Sequence, residues 1–155
     1  MTSEPVEITV YGLPAPQGSK RAFALKKGGV YTGRVAVVES SHDKVKTWRN
    51  DVMAAASLVK QWPALEGPLR VTMTFYLPRP KAHLTTGRLA GQVKPSAPAH
   101  PSGRPDTGKL ARATEDALTA AGIWRDDSQV VHCFLIKQYA DHREPGALIR
   151  IRQLT

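Results

Sequence analysis

DTGKLARATEDALTAAGIWRDDSQVV, residues 106–131, holds five of the chain's 13 acidic residues: Asp106, Glu115, Asp116, Asp126 and Asp127. The rest of the chain is strongly basic, so carboxylates gathered in one place ask for a cause. Leu110, Ala113, Thr114, Ala117, Leu118 and Ala121 recur at three- and four-residue spacing, which puts them on one face of a helix. Asp106 or Thr107 can cap its start, accepting from first-turn N–H groups that have no partner inside the helix. Gly122 suits the left-handed position that ends one. A strand is expected from about Gln129. Helix, tight turn and strand together are expected to bring Asp106 and the Asp126-Asp127 pair back toward each other. Acids assembled that way among Lys and Arg point to a divalent metal acting on phosphodiesters. On spacing alone, the competing reading is a plain helix cap followed by a solvated turn.

Outward from this segment the pattern is mixed. Downstream, Val130 to Tyr139 (VVHCFLIKQY) reads as a strand, Asp141 to Gly146 as a turn, and Ala147 to Leu154 as a last strand, an antiparallel hairpin. Upstream, Pro78 to Pro105 carries six prolines and five cations (Arg79, Lys81, Arg88, Lys94, Arg104) with no acid. It is expected to be a mobile basic loop that orders on DNA, against the alternative of a solvated insertion. Leu69 to Leu77 alternates Val71, Met73, Phe75 and Leu77 with polar residues, a second clear strand. Ser40 to about Gln61 reads as a helix burying Val45, Trp48, Val52, Ala55, Ala56 and Val59, with Trp62-Pro63 ending it. Gly28-Gly29 marks a hairpin tip inside residues 22–38. Val6 to Leu13 alternates as a half-buried strand. It runs into Pro14-Ala15-Pro16-Gln17-Gly18-Ser19-Lys20-Arg21, a phosphate-contacting loop or an ordinary surface turn. The fold class is therefore α+β: a mixed sheet of about four main strands packed on two helices, with a long basic loop, in a single domain spanning 1–155.

Composition narrows the function. At 155 residues and a net charge of +9, the chain is drawn to polyanions, of which nucleic acid is the commonest. One cysteine, Cys133, excludes an internal disulfide and a Cys-rich zinc site, and its apolar run marks it as a core residue. No apolar run approaches the ~18 residues of a membrane span, which places the chain in the cytoplasm. Walker, GxGxxG, zinc-finger and HExxH patterns are absent. The five histidines are scattered, and only His100, six residues before Asp106, lies near the acidic segment.

From Asp106 onward the sequence resembles the RusA-type Holliday-junction resolvases of bacteria and their phages. Their pattern is a Pro-Asp-x-Asp-Asn-Leu-x-Lys helix start, then Asp-Ala-Leu, then a Gly-aromatic-x-Asp-Asp-x-Gln-Val turn. Pro105-Asp106, Leu110, Asp116-Ala117-Leu118, Gly122-Ile123-Trp124 and Asp126-Asp127-Ser128-Gln129-Val130 stand in those places. The Gly12 to Arg21 segment is similar to the start of phage members. The resemblance implies a homodimeric endonuclease that cuts Holliday junctions or other branched DNA in recombination and repair, using Mg²⁺ with Mn²⁺ as a substitute. Carried over by position, Asp106 and Asp127 are metal ligands and catalytic residues. Gly108 stands where the family has its second Asp, Lys109 where it has Asn, and Arg112 where it has the assisting Lys. Asp126, Glu115 or Asp116 is then called on to supply the missing carboxylate, with Asp126 nearest in sequence to a matched ligand. Arg112 can neutralise a phosphate but cannot act as an acid or base near neutral pH. The expected DNA contacts are Lys20, Arg21, Arg79, Lys81, Arg88, Lys94, Arg104, Lys109 and Arg112. The alternatives are a catalytically weakened junction-binding protein and a basic ribonucleoprotein component.

Overall fold

The structure, a computed structural model, describes residues 4–18, 20–39, 42–60 and 63–155; the side chains of Lys20, Arg21, Val38 and Glu39 also lie outside that description. Its frame is a four-stranded sheet of β1 (Val6–Tyr11), β6 (Gly146–Gln153), β4 (Leu69–Leu77) and β5 (Val130–Tyr139), in that spatial order. β6 runs antiparallel to both β1 and β4, and β5 runs parallel to β4. Strand side chains alternate between faces, so the apolar set Ile8, Val10, Val71, Met73, Phe75, Ile149 and Ile151 falls on one face and is fully buried there. Two helices cover that face: α1 (His42–Val59) and α2 (Thr107–Ala120). α1 buries Val45, Trp48, Val52 and Ala56, as the periodicity predicts. α2 buries Leu110, Ala113, Thr114, Ala117 and Leu118. Each large apolar side chain taken out of water in this way contributes about 1.5–3 kcal/mol.

The helices are also locked by polar contacts. The buried Trp48 indole N–H donates to Thr114 Oγ1 at 3.1 Å, and that hydroxyl donates to the Leu110 carbonyl at 2.8 Å. Arg49 on α1 meets Asp116 on α2 at 3.0 Å.

The expected α+β class with its mixed sheet is present, but the last two strands do not form a hairpin. β4 lies between β5 and β6. The connection between them crosses the end of the sheet, first tied to β4 (Ala140 N–H to Leu77 O, 2.8 Å), then to the end of β1 (Gly12 N–H to Pro145 O, 3.1 Å). Composition explains the exchange. β4 offers Val71, Met73, Phe75 and Leu77 to the helices without interruption, whereas the helix-side register positions of β5 include Cys133 and Lys137. A charged side chain suits an edge better than the middle of a sheet. Cys133 is accordingly exposed rather than a core residue.

Because β4 and β5 are parallel, the chain between them must cross over, and residues 78–105 with α2 make that crossover. The segment was expected to be mobile; instead it is tied down along its length. A 3₁₀ turn at Lys81–His83 leads into a bridge between Leu84 and Val93, and a second, at Gly87–Leu89, lies within the loop that the bridge closes. Thr85 N–H donates to Gln92 O at 2.8 Å and Lys94 N–H to His83 O at 2.9 Å. The remaining pair, β2 (Lys20–Lys27) and β3 (Val30–Glu39), turns at Gly28-Gly29 with φ of 60° and 82°, as the glycine pair predicts. The expected helix start at Ser40 and its end at Gln61-Trp62 lie outside the described residues.

Candidate active site

α2 opens at Asp106, whose extended backbone (φ −71°, ψ 138°) makes it the N-cap residue. Its carboxylate accepts no capping hydrogen bond, so it is not consumed by the helix and projects beside Lys109, 3.8 Å away. Lys137, on β5, holds the approach to this point. Its ammonium donates to the carbonyls of Gly103 at 2.7 Å and Pro105 at 2.9 Å. Gln17 N–H donates to Lys109 O at 3.1 Å, which brings the Pro14–Gly18 loop onto the first turn of α2. The Gln17 Oε1 is buried there without a hydrogen-bond partner among the described residues. Gly108, in that same turn, leaves open space where a Cβ would stand.

The other end of α2 closes as the sequence predicts. Gly122 takes φ +74°, Ile123 N–H reaches back to Leu118 O at 3.1 Å and Gly122 N–H to Thr119 O at 3.0 Å. The Trp124 indole donates to Thr119 Oγ1 at 2.7 Å. Next, Asp126 caps the 3₁₀ turn Asp127–Gln129, accepting from Ser128 N–H at 2.8 Å. Gln129 completes the reciprocal pair: its Oε1 accepts from the N–H of Arg125 and Asp126, and its Nε2 donates to Leu65 O and Gly67 O. The hydrogen bonds from Ser128 hold the Asp126 carboxyl below its ordinary range. Asp126 therefore acts as the turn's cap, and the Gln of the Asp-Asp-x-Gln motif staples the turn to the segment before β4.

The two matched aspartates do not come together within the chain. Asp106 precedes the 14-residue helix and Asp127 follows it. A helix of that length spans roughly 21 Å. β5 starts beside Asp127 and, running antiparallel to α2, reaches the Asp106 end only at Lys137. Among the described residues, no three His, Cys, Asp or Glu side chains converge to hold a metal ion. Among the described residues, one chain thus holds Asp106 and Asp127 at different ends of α2.

Glu115 is the acid that stands near Asp127. It is half-buried in mid-helix, and its carboxyl is raised first by that burial, then by Asp127 and Asp116, with Arg112 acting in the opposite sense. It also faces Cys133, whose thiol is pushed up by partial burial and by the Glu115 charge. Asp116, in contrast, is paired with Arg49.

The expected DNA contacts divide. Lys81, Arg88, Arg104, Lys109 and Arg112 are exposed, whereas the Lys20 and Arg21 side chains lie outside the described residues. Lys94 donates to Ala82 O at 3.0 Å within its own loop. Arg79 is not a displayed cation. Its side chain is 7% exposed, grips Asp141 through Nε and Nη2 at 2.6 and 2.9 Å, donates to Pro98 O at 2.7 Å, and stacks over Tyr139 at 4.1 Å. It latches the crossover loop to the chain beyond β5, and Asp141 is held below the ordinary carboxylate range by the contact. Sequence reasoning missed Lys137 and Gln17. The signal for Lys137 was a lone cation inside the apolar run of β5.

The family described as endodeoxyribonuclease RusA matches residues 14–152, from the Gln17 loop through both ends of α2 into β6. A protein of Bacillus subtilis (strain 168), named uncharacterized protein YqaN, is 27% identical over 150 residues, covering 97% of each chain.

Proposed function

The chain belongs to the RusA endodeoxyribonuclease family, and we propose that it cuts four-way or otherwise branched DNA as a symmetric homodimer whose active sites are each shared between two protomers. The observation that carries this reading is the placement of Asp106 and Asp127 at opposite ends of both α2 and β5. β5 is an edge strand exposing Val131, Phe134 and Ile136, at 56%, 56% and 41%. A ten-residue apolar edge of this kind invites pairing with another strand. Two β5 strands paired antiparallel about a two-fold axis near their middle would set the Asp127 end of one protomer beside the Asp106 end of the other. Each composite site then has two aspartates, and Mg²⁺, or Mn²⁺ in its place, is the cation we assign to it. A two-fold pair of such sites suits paired cuts in opposed strands, the outcome recombination and repair require.

The chain's own residues do the rest. Lys137 fixes the backbone that carries Asp106. Lys109 and Arg112, exposed on the first two turns of α2, neutralise phosphate oxygens, with Arg112 in purely electrostatic service. The test is cleavage of a synthetic four-way junction against a linear duplex with added Mg²⁺, alongside sedimentation. A dimer that cuts the junction in preference supports the reading. Junction binding without cutting would leave a DNA-binding protein, and a monomer that cuts would remove the shared site.

A further inference from the structure

We propose that the uncovered face of the sheet carries a second DNA-backbone contact, built from Arg70, Arg150 and Arg152, that holds a duplex arm away from the α2 site. This rests on the branched-DNA reading for its target.

The helices cover one face of the sheet only. On the opposite face, strand alternation and register set up two rows. Arg152 on β6 stands directly across from Arg70 on β4, which stands across from His132 on β5. In the next row Glu7 on β1 faces Arg150, and Arg150 faces Thr72. Like charges directly opposed on neighbouring strands destabilise a sheet, and a solvated face that had no ligand would gain by alternating their sign. Here compensation is meagre. Glu7 is committed to Arg150 at 2.9 Å. Arg70 Nε donates to His132 Nδ1 at 3.4 Å, which gives the ring the role of acceptor there and adds no negative charge. Arg152 has no ion pair among the described residues.

Arg70, Arg150 and Arg152 line a shallow concavity of about 390 Å³ with Glu7, Thr72 and Pro5. Two opposed guanidinium groups with a hydroxyl beside them match phosphate oxygens, since each guanidinium can take a phosphate bidentately. A second copy of this chain would bring cations against cations, whereas a phosphodiester backbone supplies the complementary sign. The row also lies at the functional end of the sheet. β5 leaves the Asp127 turn and reaches His132 two residues into the strand, past an irregular step in its pairing with β4. An arm of DNA that passes Asp127 can therefore continue around the sheet edge onto the arginines.

The experiment measures binding of a fluorescently labelled four-way junction by anisotropy, without divalent cation, over a potassium chloride series. In the 155-residue chain, Arg70→Gln with Arg152→Gln should flatten the slope of log K against log salt by about 3.6, the release expected for four phosphate contacts, two from each protomer of the dimer, at about 0.9 each. Arg70→Lys with Arg152→Lys should keep the slope, and Glu7→Gln should tighten binding at low salt. In cleavage assays with Mg²⁺ the Gln pair should raise KM and leave kcat alone. A slope equal to the parent's in the Gln pair overturns the inference, as does a loss of dimer in sedimentation, which would make this face a protein interface. A parent protein that never cuts, but whose salt slope flattens as predicted in the Gln pair, would sink the nuclease reading and leave this one standing. A parent that cuts while the Gln pair binds with unchanged slope would do the reverse.

Discussion

Asp106→Asn and Asp127→Asn should each abolish junction cutting alone and restore it when mixed. The structure sets the logic. Asp127 comes back along α2 only as far as Glu115, nine residues or about 14 Å of helix from Asp106, too far for one cation to touch both within a chain. If each site takes Asp106 from one protomer and Asp127 from the other, a mixed dimer carries one site with both aspartates intact and one with neither. Random exchange at equal amounts makes half of the dimers mixed, so about a quarter of all sites recover. The product should change as well as the rate. A supercoiled plasmid bearing an extruded cruciform should be linearised by the parent, which cuts opposed strands, and only nicked by the mixture. Subunit exchange can be verified independently by energy transfer between labelled protomers. An inert mixture, after exchange has been shown, would refute the shared site, because a within-chain site leaves every site in a mixed dimer with one defect.

Three further outcomes follow from the same geometry. Gly108→Asp places a carboxylate in open space in the first turn of α2, where the helix dipole favours it by about 0.3–1 kcal/mol. Thermal stability should hold or rise, and calorimetric titration should show tighter Mg²⁺ binding; no gain in binding would mean that position 108 does not face the cation. Thr114→Val strands the buried Trp48 indole N–H and should cost about 1–3 kcal/mol, read as a fall of several degrees in Tm. Glu115→Gln removes a carboxyl whose folded value is raised above the unfolded one, chiefly by burial. That group's penalty is absent below the unfolded value, grows as pH rises from the unfolded value to the folded one and is complete above it, so the Gln variant should be more stable than the parent at neutral pH, with the difference closing in acid.

Much of the frame was legible because it rests on periodicity. The three- and four-residue spacing in both helices, the two-residue alternation in β1 and β4, and the glycines at 28–29 and 122 each encode a local geometry that tertiary contacts had no reason to override. The order of strands is a different kind of fact. VVHCFLIKQY looks like a central strand by composition, yet β4 took the centre, because the faces of a strand matter and not its average. On β5 the register puts Cys133 and Lys137 on the side that a central strand must bury. The crossover loop misled for a related reason. Six prolines and no acids within residues 78–105 read as disorder, but Asp141, far along the chain, supplies the acid that Arg79 needs.

The site itself could have been read further than it was. A chain that leaves a helix through a tight turn comes back beside the end it has just left, not beside the helix start. Asp127 comes before the returning strand, so it stays near the C-terminal half of α2, where Glu115 feels its charge. The residue that does complete the return is Lys137, seven positions into β5, and it arrives at Pro105, next to Asp106. Helix length alone therefore argues that a motif with essential acids on both flanks of a 14-residue helix is written for two chains, each supplying one flank. On this view the substitution at Gly108 falls wholly on the Asp106 side of the shared site. Of the acids the resemblance offers in its place, Asp116 is paired with Arg49, and Asp126 and Glu115 would belong to the protomer that contributes Asp127. Asp126 is already engaged as the cap of its own turn, which leaves half-buried Glu115 as the only one of the two whose carboxylate is not already holding the fold together.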